Sequence, residues 1–501
     1  MSARRPVDPA RQAGVLVIGT TLATVAAALT PLLVVRLIGK GDVARLLSVT
    51  LVYETLAMLL STGFPYTLLY QLSDRELPER AAIARRTFGV AALLGAGGAL
   101  AVALAAGVVA LAPAGVAPSE AVQKQLNLLL LFAPSLIADL PFRLLANLLI
   151  AERKARHSAV IQVARTIFIA LSTLVPLATE ASVDLVIHTS AVVRWAFGLV
   201  VLWELRSLYG AVPRVPSPLS VRALFAVAIP IGATEVISQL NSQLDRWLVL
   251  LVLPATRLAD YQAGAWQVPV IGTIAYSVGA AFTPNLVERF RAQDPEGALA
   301  IWRKNANKVA LIVVPVTMAL VVAADELMTV LFTSAYAEAA NIFRFYSPLT
   351  FLRVATFGPL IVTAGRPRLS LVAAAFGLLY NVLLSVPLVF SVGFIGPAIG
   401  TGFAFVLHVA TYVFFISRAT GRPYTTIFPL QSYLRIFAVA AAAGALGWLV
   451  KREVPLPAVP RLIAEILVVL LAFVALGLAT RTVKREDLDY LRTWLRRKKT
   501  A

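Results

Sequence analysis

Long apolar segments alternate with short polar connections along almost the whole chain. Most of the segments contain about 20 residues or more, the length at which a helix crosses the hydrocarbon core of a bilayer. A spanning helix satisfies its backbone hydrogen bonds within the segment, so this repetition predicts an all-α polytopic membrane protein. By length, about 14 spans are expected. They lie at residues 13–38, 43–71, 87–112, 124–150, 157–178, 183–204, 220–252, 259–286, 308–332, 339–364, 368–390, 394–417, 431–450 and 460–480.

The composition excludes other broad classes of protein. Of the 501 residues, 59% are hydrophobic and 14% are charged, and the mean hydropathy is +0.81. A formal net charge of +19 would suit nucleic acid, but no soluble basic domain carries it, so we expect no nucleic-acid partner. The absence of cysteine excludes disulfides and thiolate metal sites. His157, His188 and His408 match no metal-ligand spacing, and we expect neither a metal nor a cofactor.

Lysine and arginine are concentrated in alternate connections. The N-terminus and the second, fourth and eighth connections are rich in them, whereas residues 112–120, 179–184 and 391–396 contain none. The positive-inside rule therefore predicts a multi-pass protein of the plasma (inner) membrane with both termini in the cytoplasm. The first and thirteenth connections depart from this pattern, since they contain Lys40, Arg45, Lys451, Arg452 and Arg461.

A Pro-rich connector at 211–218 separates six predicted spans from the eight that follow. Residues 132–160 resemble 346–372, which indicates a repeat of six spans in the same orientation. We therefore predict an N-terminal lobe at 1–212, a C-terminal lobe at 213–417, and a last part at 418–501. That last part contains two further spans and a basic cytoplasmic tail, which forms either an interfacial helix on anionic lipid or a solvated tail.

The seventh predicted span carries a polar stripe. Its polar residues fall within an arc of about 160° on a helical projection. They are Glu235, Ser238, Gln239, Ser242, Gln243, Asp245 and Arg246. A charge at mid-membrane costs about 2.5–3.5 kcal/mol, so this stripe is tolerable only beside protein or a water-filled path. The pattern is typical of a transporter with a polar central cavity.

Charged residues inside the predicted spans, with the seventh included, are mostly arginines. The seven arginines are Arg36, Arg143, Arg165, Arg194, Arg246, Arg344 and Arg353, and the acids are Glu54, Asp139, Glu235 and Asp245. Because buried arginines bind phosphate through charge-assisted hydrogen bonds, their excess points to an anionic substrate. Asp139 and Arg143 are four residues apart and form either a self-neutralised pair or a functional one. Glu235 suits proton exchange or a hydrogen bond to a neighbouring helix.

Several motifs resemble the multidrug/oligosaccharidyl-lipid/polysaccharide exporter superfamily, and within it the O-antigen and capsule repeat-unit flippases. These motifs are PLLVVRLIGKGDVARLLSV at 31–49, QLNSQLDRWLVLLVL at 239–253, DYQAG at 260–264, LFTSAYAEAANIFRFYSPL at 331–349, TAGRPRLSLV at 363–372 and VGFIGPAIGTGFAF at 392–405. The resemblance implies a fourteen-helix, two-lobed, V-shaped alternating-access transporter with a cationic cavity. The arginine-rich first helix expected of peptidoglycan-precursor flippases is missing.

The resemblance leads to the hypothesis of a flippase that moves a polyprenyl-(pyro)phosphate-linked oligosaccharide from the inner to the outer leaflet. The implied partners are this glycan, membrane lipids, and a glycan polymerase with chain-length machinery. The expected substrate-binding residues are Arg194, Arg246, Arg353, Arg143, Gln239, Asn241, Ser238 and Gln243, and the expected ion-coupling residues are Glu235, Asp245, Glu54 and Asp139.

Three alternatives remain open at this stage. The first is a cation- or proton-coupled multidrug exporter of the same superfamily, against which the arginine excess counts. The second is a peptidoglycan-precursor flippase. The third is a membrane-embedded glycan polymerase or ligase, which needs room outside the membrane, whereas the outer connections here contain only about a dozen residues each. We therefore do not expect an enzyme.

Overall fold

The computed structural model describes residues 25–72, 75–111, 119–266, 268, 282–353 and 357–484. All regular structure within these residues is helical, which confirms the predicted all-α class. The helices are α1 Val25–Leu37, α2 Lys40–Ser61, α3 Phe64–Leu72, α4 Leu77–Ala110, α5 Glu120–Phe132, α6 Leu136–Ala151, α7 Ala155–Thr179, α8 Val183–Tyr209, α9 Val221–Val252, α10 Thr256–Gly264, α11 282–291, α12 Pro295–Val322, α13 Ala324–Phe332, α14 Ala339–Tyr346, α15 Leu349–Arg353, α16 Phe357–Thr363, α17 Pro367–Ser391, α18 Gly396–Thr420, α19 Tyr424–Ile427, α20 Leu430–Glu453 and α21 Ala458–Ala479.

Among the described residues, 11 helical segments are long and apolar enough to cross a membrane. They correspond to all but three of the predicted spans. The first predicted span is described only from residue 25 on, and much of 259–286 lies outside the described residues. The span expected at 339–364 is interrupted at residues 347–348, between α14 and α15. Pro348 lies at this break and has no backbone N–H with which to continue the helical hydrogen bonds.

The described chain divides into two compact units. Unit 1 ends at Leu240 and unit 2 begins at Asn241, so the division falls inside α9. The predicted lobes meet instead in the connector at 211–218, and that three-part division stays a prediction.

Helix α6 is the centre of unit 1. It packs against α3, α4, α7 and α8. Leu136, Leu140, Leu144 and Leu148 recur every fourth residue and are fully buried. A helix covered by neighbours in this way places its polar residues inside the bundle as well.

A tight break separates α2 from α3 in unit 1. Gly63 adopts a φ of +82° there, in the left-handed region that side chains other than glycine rarely adopt. A Cβ on Gly63 would lie 1.9 Å from the carbonyl oxygen of Ala228 on α9. The break therefore depends on glycine for its backbone angle and for its contact with α9.

In unit 2, α17 and α18 approach each other closely through glycine. A Cβ on Gly400 of α18 would lie 2.4 Å from Ser385 Oγ and 2.6 Å from Ser385 Cα on α17. Small residues at helix interfaces allow such approaches inside membranes. The contact brings polar groups of α17 and α18 within hydrogen-bond distance of each other.

Candidate functional site

Unit 1 contains five charged side chains that form one network deep within its helices. Glu54 lies on α2, Asp139 and Arg143 on α6, Arg165 on α7, and Arg194 on α8. All five lie inside segments that can span a membrane. The ion pairs described below join them, and we call this group the unit 1 network.

Arg143 connects the two acids of the network. Its Nε donates to Asp139 Oδ2 at 3.0 Å, and its Nη2 donates to Glu54 Oε2 at 2.6 Å. Arg165 Nη2 donates to the other oxygen of Asp139. Arg194 Nη2 lies 3.4 Å from Glu54 Oε1. Asp139 and Arg143 are therefore paired, as one of the two interpretations of their spacing predicts, but the pair belongs to a larger group.

Arg194 is enclosed by aromatic rings. Its Cζ lies 5.0 Å from the ring centre of Tyr53 and 4.7 Å from that of Phe132. Its Nη1 donates to the carbonyl oxygen of Ser190 at 3.3 Å. The side chain is 7% exposed, and its buried Nε has no hydrogen-bond partner among the described residues. Aromatic faces and one carbonyl thus hold this guanidinium in place and leave one N–H unused.

The charges of the unit 1 network do not balance. Three guanidinium groups face two carboxylates, which leaves one positive charge in excess. The exposure of the two acids differs: 42% of the Glu54 side chain is exposed but only 1% of the Asp139 side chain. Asp139 is therefore shielded from solvent, whereas solvent can reach Glu54. Such a site can bind an anion, because guanidinium groups in fixed positions offer several donors to phosphate oxygens.

A second polar cluster surrounds Asp245 in unit 2. Asp245 on α9 is buried, and Thr401 Oγ1 on α18 lies 2.7 Å from each of its carboxylate oxygens. Tyr261 OH lies 3.2 Å from Asp245 Oδ2, and Tyr346 OH donates to the same oxygen. We call these four residues, together with Asn381 of α17, the Asp245 cluster.

Asn381 on α17 extends the cluster. Its Nδ2 donates to Asn241 Oδ1 at 2.9 Å, and its Oδ1 accepts from Ser385 Oγ at 2.6 Å. Thr401 Oγ1 also lies 3.0 Å from Asn381 Oδ1. The single hydroxyl hydrogen of Thr401 thus faces three acceptor oxygens, two from Asp245 and one from Asn381, and cannot serve all of them. Tyr261, Tyr346 and Ser385 also supply hydroxyl hydrogens to these oxygens. A buried carboxylate surrounded by hydroxyl oxygens in this way can take up a proton or a small cation.

The remaining candidates from the sequence lie mostly on α9. Glu235 accepts from Gln239 Nε2 at 3.2 Å, and Arg246 Nη1 donates to Gln243 Oε1 at 2.7 Å. Glu235 is exposed, as is Ser238. Arg353 ends α15, and its side chain lies outside the part of the chain that the structure describes.

The sequence named 12 site residues. The structure joins four of them in the unit 1 network, namely Glu54, Asp139, Arg143 and Arg194. It also links Asp245 to Asn241, through Asn381 and Thr401. Sequence reasoning noted Arg165 as an intramembrane arginine but gave it no role. It missed Thr401 and Ser385, since threonine and serine hydroxyls in helices commonly bond to their own backbone, and it missed Tyr261 and Tyr346, whose spacing in the sequence gives no sign of their contact with Asp245.

A family model described as polysaccharide biosynthesis protein matches residues 33–341. A curated relative, the probable low-salt glycan biosynthesis flippase Agl15 of Haloferax volcanii, is 22% identical over 226 residues. The matched part is 44% of this chain and 47% of that protein, so the chain matches about half of the relative's length.

Solved structures with a similar fold are membrane transporters. The lipid II flippase MurJ in an inward closed conformation has a TM-score of 0.71 at 13% identity, covering 93% of this chain and 98% of that one. An inward-facing multidrug resistance MATE family transporter of the MOP superfamily has a TM-score of 0.59 at 14% identity, covering 80% and 95%. A MOP superfamily transporter from Pyrococcus furiosus has a TM-score of 0.56 at 13% identity, covering 83% and 96%. These likenesses concern the fold.

Proposed function

Since the chain belongs to the polysaccharide biosynthesis protein family and has the fold of MOP superfamily transporters, we propose that it is a flippase for a lipid-linked glycan. The family and the fold confirm the resemblance that the sequence motifs indicate. The proposed substrate is a polyprenyl-(pyro)phosphate-linked oligosaccharide, such as an O-antigen, capsule or exopolysaccharide repeat unit. It moves from the inner to the outer leaflet of the plasma membrane and then passes to a glycan polymerase and chain-length machinery.

The observation that carries this proposal is the unit 1 network. A lipid-linked glycan presents one or two phosphates at its junction with the lipid, and the network has one positive charge in excess deep within a membrane protein. Arg143 and Arg194 lie beside the accessible Glu54 and are the proposed headgroup ligands. Arg246 and Arg353 are proposed to contribute further positive charge.

The polar side of α9 fits the glycan part of this substrate. Ser238 is exposed, and Gln239, Asn241 and Gln243 are half-buried. Exposed polar groups on a spanning helix face water rather than lipid, because lipid contact would leave them unsatisfied. We assign these four residues to hydrogen bonds with sugar hydroxyls.

Asp245 is the proposed site of ion coupling. Its buried carboxylate is surrounded by the hydroxyl groups of Thr401, Tyr261 and Tyr346, whose oxygens can share a proton or a small cation with it. Glu235 lies on the same helix and is the second coupling candidate, while Glu54 and Asp139 are engaged by arginines.

Both termini are proposed to lie in the cytoplasm, on the strength of the alternating basic connections. The exceptions have structural partners. Lys451 Nζ lies 2.9 Å from Asp325 and 2.6 Å from Glu326, and Arg45 pairs with Asp184. Ion pairs therefore give Lys451 and Arg45 a structural role in connections that are otherwise poor in basic residues.

The decisive experiment measures translocation in reconstituted vesicles. A fluorescently labelled polyprenyl-pyrophosphate-linked oligosaccharide is placed in one leaflet, and its accessibility to a membrane-impermeant quencher is followed with time. We expect movement by the wild type and a loss of at least about tenfold in rate for Arg194→Ala and for Arg143→Ala, because each removes a charge-assisted contact to phosphate.

Arg206→Ala is the matched control, since Arg206 is an exposed arginine on the same helix as Arg194 and should translocate like the wild type. Wild-type rates in both site variants would remove the case for the unit 1 network. No glycan movement together with export of a cationic dye would favour a multidrug exporter, the alternative that the shared fold with MATE transporters keeps in view.

The coupling proposal has its own test. Asp245→Asn should abolish the acceleration of translocation by an imposed proton, sodium or voltage gradient, because an amide cannot exchange a proton as a carboxylate does and lacks the negative charge that attracts a cation. The movement down the glycan gradient itself should persist. Asp184→Asn, at an acid whose side chain is 59% exposed, is the control. A gradient effect that survives in Asp245→Asn would locate the coupling elsewhere.

A further inference from the structure

The unit 1 network contains one acid that is held differently from the other. Asp139 accepts from two arginines, Arg143 and Arg165, and is almost fully buried. Glu54 is engaged by Arg143 at 2.6 Å and only distantly by Arg194 at 3.4 Å, and 42% of its side chain is exposed. Of the two acids, Glu54 is therefore the one that can leave without breaking the buried part of the network.

The arginines that Glu54 would release stay in position after it leaves. Arg143 remains oriented through the bond from its Nε to Asp139. Arg194 remains oriented by the carbonyl of Ser190 and by the rings of Tyr53 and Phe132. Departure of Glu54 thus exposes two oriented guanidinium groups. In each of them, Nη2 no longer has a carboxylate partner. Donors fixed in advance bind an anion at a lower ordering cost than mobile ones.

We infer that Glu54 is the internal counter-ion of this anion site: a diphosphate displaces its carboxylate on binding, and the returning carboxylate displaces the diphosphate on release. This inference rests on the proposed function. When the site is empty, Glu54 offsets positive charge that Asp139 alone would leave uncompensated among three arginines, and uncompensated charge is strongly unfavourable inside proteins. When the site is filled, the diphosphate takes over that role. The empty and the loaded carrier are then both able to change conformation.

The inference predicts that a neutral residue at position 54 binds diphosphate more tightly and releases it more slowly. Binding of inorganic pyrophosphate to the full-length protein in detergent is measured by calorimetry. Glu54→Gln should bind at least about tenfold more tightly than the wild type, because the competing negative charge is gone. Glu54→Asp, whose shorter side chain reaches the arginines less well, should show an intermediate gain.

Glu120→Gln is the matched control. Glu120 is an exposed glutamate paired with Lys124 at 2.8 Å, so the substitution changes the net charge equally and should leave pyrophosphate affinity unchanged. The same proteins are tested in vesicles containing the lipid-linked diphosphate glycan, where Glu54→Gln should complete one translocation event but turn over several-fold more slowly than the wild type. This arm separates a lipid headgroup from free diphosphate as the ligand.

The outcomes distinguish this inference from the proposed function. Equal pyrophosphate affinity in the wild type, Glu54→Gln and Glu54→Asp would overturn the counter-ion role even if lipid-linked glycan is translocated. Tighter pyrophosphate binding by Glu54→Gln, with no movement of lipid-linked glycan by the wild type, would support the counter-ion and overturn the flippase. If Glu54→Gln does not yield folded protein, the pyrophosphate affinity of Glu54→Asp tests the inference instead. An affinity equal to that of the wild type would then count against the counter-ion role.

Discussion

Asp139→Asn is expected to lower the free energy of unfolding by about 3–5 kcal/mol, the effect of removing one partner from a buried ion pair. Asp139 is buried between Arg143 and Arg165, and the neutral amide would leave two guanidinium groups without their shared carboxylate. The loss amounts to a large share of the stability of a typical domain. Unfolding in mixed detergent micelles, followed by tryptophan fluorescence, measures the difference.

Two further variants locate the cause of this loss. Asp42→Asn is the control, because 48% of the Asp42 side chain is exposed and its pair with Arg45 spans 3.7 Å; exposed pairs contribute about 1 kcal/mol or less. Adding Arg165→Gln to Asp139→Asn removes one uncompensated cation and should recover part of the stability. A wild-type unfolding midpoint for Asp139→Asn would contradict the charge arrangement of the unit 1 network.

Gly63→Val is expected to abolish correct folding of unit 1. A Cβ there would lie 1.9 Å from the carbonyl oxygen of Ala228, and the φ of +82° is unfavourable for a β-branched residue. The clash is with backbone atoms, so no side-chain rotation relieves it. Yield of monodisperse protein on size-exclusion chromatography, measured beside the wild type, tests this expectation.

Gly97→Ala provides the contrast. Gly97 lies within α4, and a Cβ there would meet no atom within 4 Å. Alanine should therefore preserve or slightly raise stability, by up to about 1 kcal/mol, since glycine is the weaker helix former. Equal yields of Gly63→Val and Gly97→Ala would show that the break between α2 and α3 does not need its close contact with α9.

The two units carry polar groups of different chemistry. The unit 1 network consists of arginines and acids beside aromatic rings, whereas the Asp245 cluster consists of one acid among hydroxyl and amide groups. Guanidinium groups favour anions and clustered oxygens favour protons or cations. The proposed assignment of the headgroup to unit 1 and of the coupling ion to unit 2 follows this difference.

Hydropathy predicted most of the spans correctly, because burial in lipid requires a continuous apolar segment with internal hydrogen bonds, and that requirement is local. It did not predict the break at Gly63 or the interruption at residues 347–348. Proline and glycine were visible at these points, but spanning helices tolerate both where neighbouring helices satisfy the freed groups. Whether they do so depends on contacts with distant parts of the chain.

The sequence by itself determined an all-α membrane protein that resembles a known transporter superfamily, and it identified the charges inside the spans. An intramembrane charge is costly wherever it occurs, so Glu54, Asp139, Arg143 and Arg194 could be identified one at a time. Only the tertiary structure decided their partners. Glu54 meets Arg143 and Arg194 across 89 and 140 residues of chain, and Thr401 meets Asp245 across 156. Hydropathy and helical periodicity report neighbours within a few turns, whereas these contacts arise from the packing of one helix against another.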